Sequence, residues 1–419
     1  MPRPNDVPSH PDHGGHPHTN RPRPRPRKPN LPLRRGTVDF SDQQGMAALM
    51  ELIGDAEIPP VEQTAAERFV GVTTDGTPVD GLFALEDAGV DPAAAAEAAR
   101  GFLASLSSRQ RAAAALPLDA VEWQLWSNAF LTFPEHGLQL QEISAGQRAA
   151  ALAVIEASIS GPGYDQLRAA MRSNASLGEV VGAYLDSLTE YCYWFTVFGE
   201  PSRTTPWGWQ LFGHHIVLHC LFIGSQIVLT PSFLGTEFEG DLLFAEHQRT
   251  AREFMGSLTA VQRDRALLHG SMLAKDLPHE LAGIVDGRHR AGAGQDNLVL
   301  PQVGLEGSDL TAGQRELLMA LADPYLLNLP EVARAHRRSQ LEHHLNHSFL
   351  SWIGAWQEGE AFYYRLHSPV VLIEYDNHPG IFLDNDEPEP IHVHTIVRTP
   401  NGGDYGKNLL RMHYEQHHS

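Results

Sequence analysis

TVFGEPSRTTPWGWQLFGHHIVLHC (residues 196–220) and SWIGAWQEGEAFYYRLHSPVVLIEY (residues 351–375) align without a gap at an offset of 155, anchored by Gly199 with Gly354 and Leu211 with Leu366. Both blocks cluster β-branched and aromatic residues between Gly/Pro turns, which is the pattern of strands joined as hairpins. The match is weak in identity and strong in pattern, so the chain reads as two similar halves. Two further pairs keep the same order. AARGFLASLSSRQR (98–111) matches TAREFMGSLTAVQR (250–263) at an offset of 152, and GLQLQEISAGQR (137–148) matches GLEGSDLTAGQR (304–315) at 167.

Each half holds two [LI]-[ST]-x-x-Q-R elements, at Ser107/Gln110, Ser144/Gln147, Thr259/Gln262 and Thr311/Gln314. The hydroxyl is placed to accept the backbone N–H three residues on while the Gln reaches back, so four capped helix starts are expected. Helices and strands come in segregated runs. The predicted fold is α+β, with tandem-duplicated, pseudo-symmetric halves at 69–224 and 225–375 and capped helices packed on one mixed or antiparallel sheet. Residues 1–38 form a Pro/Arg/His-rich arm expected to be disordered, 39–68 a helical lead-in, and 376–419 a C-terminal extension.

The net charge is −20, yet the first 35 residues hold eight of the 31 Lys/Arg and only two of the 51 Asp/Glu. The acidic remainder is expected to repel nucleic acid and anionic membrane. No apolar run approaches the length of a bilayer span and no signal peptide is recognisable, so a cytoplasmic protein with a small-molecule substrate is expected. Cys192 and Cys220 sit in apolar runs and read as free, structural thiols.

The 23 histidines raise the question of a metal. Read as a strand, HHIVLH (214–219) places His215 and His219 on one face about 13 Å apart, too far for one ion. It is therefore not a site by itself, though His214 or His215 can join ligands from elsewhere. IHVHTIVRTP (391–400) is the better chelate, because His392 and His394 lie about 6.6 Å apart on one strand face. Glu374 and Asp376 in LIEYD, His378 and His413 supply partners. Glu374 ends an apolar strand, and a buried carboxylate needs a cation, a hydrogen-bond partner or a proton.

At the offset of 155, Glu374 aligns with His219, so metal-capable residues occupy matching positions in both halves. Arg398 and the NGGDYG turn (401–406) follow the His-x-His segment. Arg398 is placed to hold a substrate carboxylate or to pair with Asp404, and Tyr405 is a further candidate substrate contact. DNDEPEP (384–390) reads as a solvated loop near the site, and His343 and His347 in LEHHLNH as a helix surface.

The segments FVGVTTDGTPVDGLFAL, FGEP, PWGWQLFGHH, TPSFLG, EYDNHPG and HVHTIVRTPNGGDYGKNLLRMHY together resemble, in this order, the family catalogued as domain of unknown function 3500. The resemblance covers about residues 65–415. It implies that His214, His215 and the His-x-His segment belong to the family pattern, whereas many members carry another residue where His219 stands. It implies no reaction.

The expected function is a metal-dependent enzyme acting on a small polar or amino-acid-like substrate. Its metal set is His392, His394, Glu374 and His215 or His214, and its catalytic candidates are Glu374, Asp376 and Arg398. The ion is Fe²⁺ or Zn²⁺, with Cu²⁺ as a further option. Two histidines and a carboxylate leave open positions suited to non-haem oxidation or to activation of water. Oxidation is slightly preferred because Trp207 and Trp209, read as substrate contacts, together with Tyr363 and Tyr364, suggest an aromatic pocket. A hydrolase and a non-catalytic metal- or ligand-binding protein are the alternatives.

Overall fold

The four Ser/Thr-x-x-Gln elements each start a helix in the computed structural model, which describes residues 61–130, 136–182, 184–282 and 287–417. Ser107 caps Ser108–Ala114, Ser144 caps Ala145–Ser158, Thr259 caps Ala260–Ala266 and Thr311 caps Ala312–Ala322, each as a complete capping box. The glutamines then pair across helices. Gln110 and Gln147 exchange carboxamide hydrogen bonds, and Gln262 and Gln314 repeat the exchange at 3.0 and 2.9 Å. The expected arm and residues 39–60 of the lead-in lie outside the described residues.

One mixed sheet of thirteen strands gathers the described strands. Its first side holds β1 (Ala115–Leu116), β2 (Leu138–Gln139), β3 (Tyr193–Phe198), β4 (Trp207–Gly213), β5 (Ile216–Ile223), β6 (Gln226–Val228) and β7 (Ser232–Thr236). Its second side holds β8 (Leu267–His269), β9 (Leu305–Glu306), β10 (Phe349–Gly354), β11 (Phe362–His367), β12 (Leu372–Asn377) and β13 (Val393–Arg398). The main path runs β1-β3-β4-β5-β7-β13-β12-β11-β10-β8. The chain is therefore α+β.

Pairings recur from one side to the other. Gln210 faces His219 in β4–β5, and Arg365 faces Glu374 in β11–β12, the same register at an offset of 155. Phe195 faces Leu211, and Leu350 faces Leu366. The short strands β1 and β8 are both parallel additions, to β3 and β10. At the centre β7 and β13 run antiparallel, with Ser232 opposite Val397. The expected boundary between the second half (225–375) and the extension (376–419) falls inside β12, and β13 joins β12 antiparallel, as β7 joins β5.

Alternation along the strands sorts side chains to two covered faces. Trp207, Trp209, Leu211, Leu218 and Cys220 share the larger core with helical residues such as Phe102, Ile155 and Phe254. Phe212, Val217, Leu221, Phe233 and Ile396 form a second core with Trp123, Trp126, Tyr405 and Leu409. Both sheet faces are thus buried, which accounts for strands without polar alternation. Cys192 and Cys220 are unpaired thiols. No described helix is long and apolar enough to cross a membrane.

Candidate metal centre

The HHIVLH stretch is not one continuous strand. β4 ends at Gly213 and β5 begins at Ile216, so His214 and His215 form a two-residue hairpin turn. His215 adopts φ 63, a left-handed conformation that histidine tolerates better than most side chains. Its N–H donates to Asn128 O at 3.0 Å and its carbonyl accepts the Gly235 N–H at 2.8 Å. The turn is thereby fastened to β7, one strand away from β13.

Its ring meets the two histidines of the His-x-His segment. His392 directly precedes β13 and His394 lies on it. The Nε2 atoms of His215, His392 and His394 stand 3.1, 3.2 and 3.4 Å from one another. An ion about 2.0–2.1 Å from each nitrogen of a tetrahedral site sets those nitrogens about 3.3 Å apart. The triangle has the size that one cation requires, and the three residues form a group able to hold a metal ion.

Tautomer chemistry supports the same orientation. His392 Nδ1 lies 2.7 Å from Pro379 O. A carbonyl only accepts, so Nδ1 carries the proton and the Nε2 lone pair points at the other two rings. Burial holds His392 down at about 3 and keeps His215 and His394 well below the usual imidazole value, with the neighbouring imidazoles adding to the effect. The His392 Nε2 lone pair therefore faces two further imidazoles, and a proton on a neighbouring ring or a cation between the three satisfies it.

Around the triangle stands a shell of further polar groups. His214 stacks on His215 at 3.9 Å and donates from Nδ1 to Asn174 Oδ1 at 2.8 Å, so it buttresses the His215 ring from outside the triangle. The His378 ring lies 4.7 Å from that of His394 and 5.0 Å from that of His392, and the His289 ring 5.5 Å from that of His394. Among the described residues, Asp376 Oδ1, His378 Nε2 and both nitrogens of His289 have no hydrogen-bond partner. Asp376 sits directly across from His394 in the sheet, and its carboxyl is pushed up to about 6 by burial, opposed by Arg288 3.8 Å away. A side chain at Gly287 would collide with both Asp376 and His378, so glycine keeps that space open.

Other expected site residues are placed elsewhere. Glu374 lies outside the triangle. Its carboxylate accepts the Arg290 and Ala291 amides at 2.8 to 3.1 Å and the Tyr363 hydroxyl at 2.7 Å, and this loop supplies the partners that its burial demands. Arg398 is fully buried and pairs with Asp296 at 2.7 Å and Asp404 at 3.1 Å, while its Nε and Nη2 donate to Ala291 O and Gly292 O. That leaves it no free fork for a substrate, and the Asp404 pairing is the one realised. Tyr405 accepts from Trp126 Nε1 and reaches Asp296 inside the second core.

Trp207 and Trp209 point into the opposite, helix-covered face, where their indoles donate to Ser202 O and Ser158 Oγ. As buried core residues they cannot touch a substrate at the histidines. His343 and His347 are exposed at a helix end, as the sequence suggests. The segment GRHRAGAGQDN (287–297) was missed as part of this region. It brings Arg288, His289 and Asp296 to β12 and β13, and the one signal it offers is a histidine between two arginines in a glycine-rich run.

No curated protein and no solved structure matches the chain. The family model described as protein of unknown function (DUF3500) matches residues 88–407, and by that match over most of its length the chain belongs to this family.

Proposed function

We propose that the chain is a metal-dependent enzyme whose divalent transition metal is bound by His215, His392 and His394. The observation that carries this reading is the triangle of Nε2 atoms 3.1 to 3.4 Å apart. Three neutral imidazoles leave the ion its full charge, and an ion so held polarises a bound water or substrate oxygen. Asp376, His378 and His289 supply unpaired polar atoms beside it. A small polar substrate suits them, with Asp376 as proton acceptor and Arg288 fixing that carboxylate.

Activation of water is the favoured chemistry. Oxidation would draw on an aromatic pocket, but Trp207, Trp209 and Tyr364 are packed in the core on the other face. One observation favours a non-catalytic reading: His378, whose Nε2 has no hydrogen-bond partner, stands beside two of the ligand rings but outside the three-residue group, and would complete the coordination if its ring moved inward.

Elemental analysis of untagged protein is the test, before and after reconstitution with zinc, iron or copper. One ion per chain is expected, lost in His392→Ala, His394→Ala and His215→Ala and kept in His378→Ala. Absence of stoichiometric metal under every reconstitution would sink the proposal. Loss of the ion in His378→Ala would turn it toward a saturated binding site.

A further inference from the structure

On the helix-covered face, where the two sides of the sheet meet, a pocket of ≈ 90 Å³ is lined by Ser232 and Val397, the residues opposed at the central β7–β13 pair. Its walls are mostly apolar, from Val228, Leu229, Leu326 and Leu329. One cation faces it, Arg337 of the helix Glu331–His343. The guanidinium donates to Val370 O and Thr399 Oγ1, each at 2.6 Å, and to Gln340 Oε1 at 3.0 Å. All three partners are neutral.

Among the described residues no carboxylate pairs with Arg337. Asp404, whose charge acts on it, is committed to Arg398 and the Thr399 amide. Neighbouring His336 is tied to Glu86 at 3.1 Å. Arg337 is half-buried, and a guanidinium drawn out of water without a counter-ion is unfavourable; burial lowers it to about 10. An anion entering the pocket supplies what the fold does not.

We propose that this pocket binds a small carboxylate, its head on Arg337 and its short aliphatic chain against Leu326, Leu329 and Val228. A single cation matches a monoanion, and a planar carboxylate matches the guanidinium. By the measure on which one water needs about 10–15 Å³, the space admits about six heavy atoms. This site is separate from the histidine triangle, and its test is independent of the metal.

Calorimetric titration of the full chain with butanoate, butanamide and inorganic phosphate decides the matter. Saturable binding of butanoate alone is expected. Arg337→Met should weaken it at least tenfold, and Ser232→Leu, which fills the pocket and leaves the cation in place, should weaken it as much. Circular dichroism checks that each variant folds, and if Arg337→Met does not, Ser232→Leu decides alone. No saturable butanoate binding to the wild type, equal binding of butanamide, or unchanged affinity in Ser232→Leu would overturn the proposal. Phosphate binding tighter than butanoate would reassign the pocket to an inorganic anion and equally overturn it.

Discussion

The hairpins β4–β5 and β11–β12 pair in the same register, and their two-residue turns carry different residues in different conformations. In the first, His214 and His215 make a two-residue turn and place one imidazole against β13. In the second, Pro369 and Val370 make a turn of the same length, closed by the Ser368 N–H donating to Val371 O at 2.8 Å, and Val370 and Val371 are sealed in the core. At the common offset Pro369 and Val370 stand where the histidines stand. The histidine triangle is therefore built from what the two hairpins do not share.

Matching positions do something else. His219 donates from Nδ1 to Pro231 O at 2.7 Å, and Glu374 accepts from the Arg290 and Ala291 amides. Each is a buried polar group that ties a crossing segment to its strand, and neither is part of the triangle. A shared position able to bind metal thus proves to be a shared anchor.

The sharpest way to break this comparison is to exchange the turns. Replacing His214-His215 by Pro-Val, the pair found in the second hairpin, should lower metal affinity by at least 10³-fold, because the third nitrogen is lost and the left-handed turn with it. Chelator competition measures the change. His219→Gln, altered at the matched anchor, should bind metal as the wild type does, and retention of metal by the turn exchange would refute the division of roles drawn here.

Glu374→Gln comes next in size. The amide keeps the shape and sets an N–H against backbone donors, leaving buried groups unpaired, at a cost of about 3 kcal/mol in urea unfolding. Metal stoichiometry should stay unchanged. A Glu374→Gln protein of normal stability that had lost its metal would restore Glu374 as a ligand.

These two experiments fall on opposite sides of what the residues disclose unaided. The helix starts were legible because a capping box is complete within four residues, and the matched hairpins because their offset is constant. His392 and His394 were legible because a strand places i and i+2 on one face. His215 was among the candidates, but no local rule places a turn residue against a strand 177 positions later. Glu374 needed a partner, and backbone amides some 84 residues away supplied it, a donor that every sequence contains and none advertises. Arg398 likewise takes Asp296 from a glycine-rich loop with no periodicity to betray its place.

Acid should separate the anchors. Burial lowers His219 to about 4 from an ordinary 6.5, so it stays neutral in the fold while the unfolded chain takes up its proton. Its contribution is complete above pH 6.5 and is lost as the pH falls toward 4, at about 1.4 kcal/mol per pH unit. Denaturant titrations of metal-free protein between pH 6.5 and 4.5 should give a slope smaller by that amount in His219→Gln. An identical slope would mean that His219 is protonated within the fold.

The smallest expected effect tests the likeness instead of the difference. Ser107 and Thr259 cap helices at matching places, and each glutamine both closes its own box and meets a glutamine of the neighbouring helix. Ser107→Ala and Thr259→Ala should each cost about 1 kcal/mol, since one helix-end N–H loses its acceptor. A double-mutant cycle on Gln262 and Gln314 should give a coupling of about 0.5–1 kcal/mol, and the Gln110 and Gln147 cycle should agree within about 0.5 kcal/mol. The two cycles probe the same paired carboxamides on both sides of the sheet, so coupling in one and none in the other would show that the two sides share a pattern without sharing its energetics.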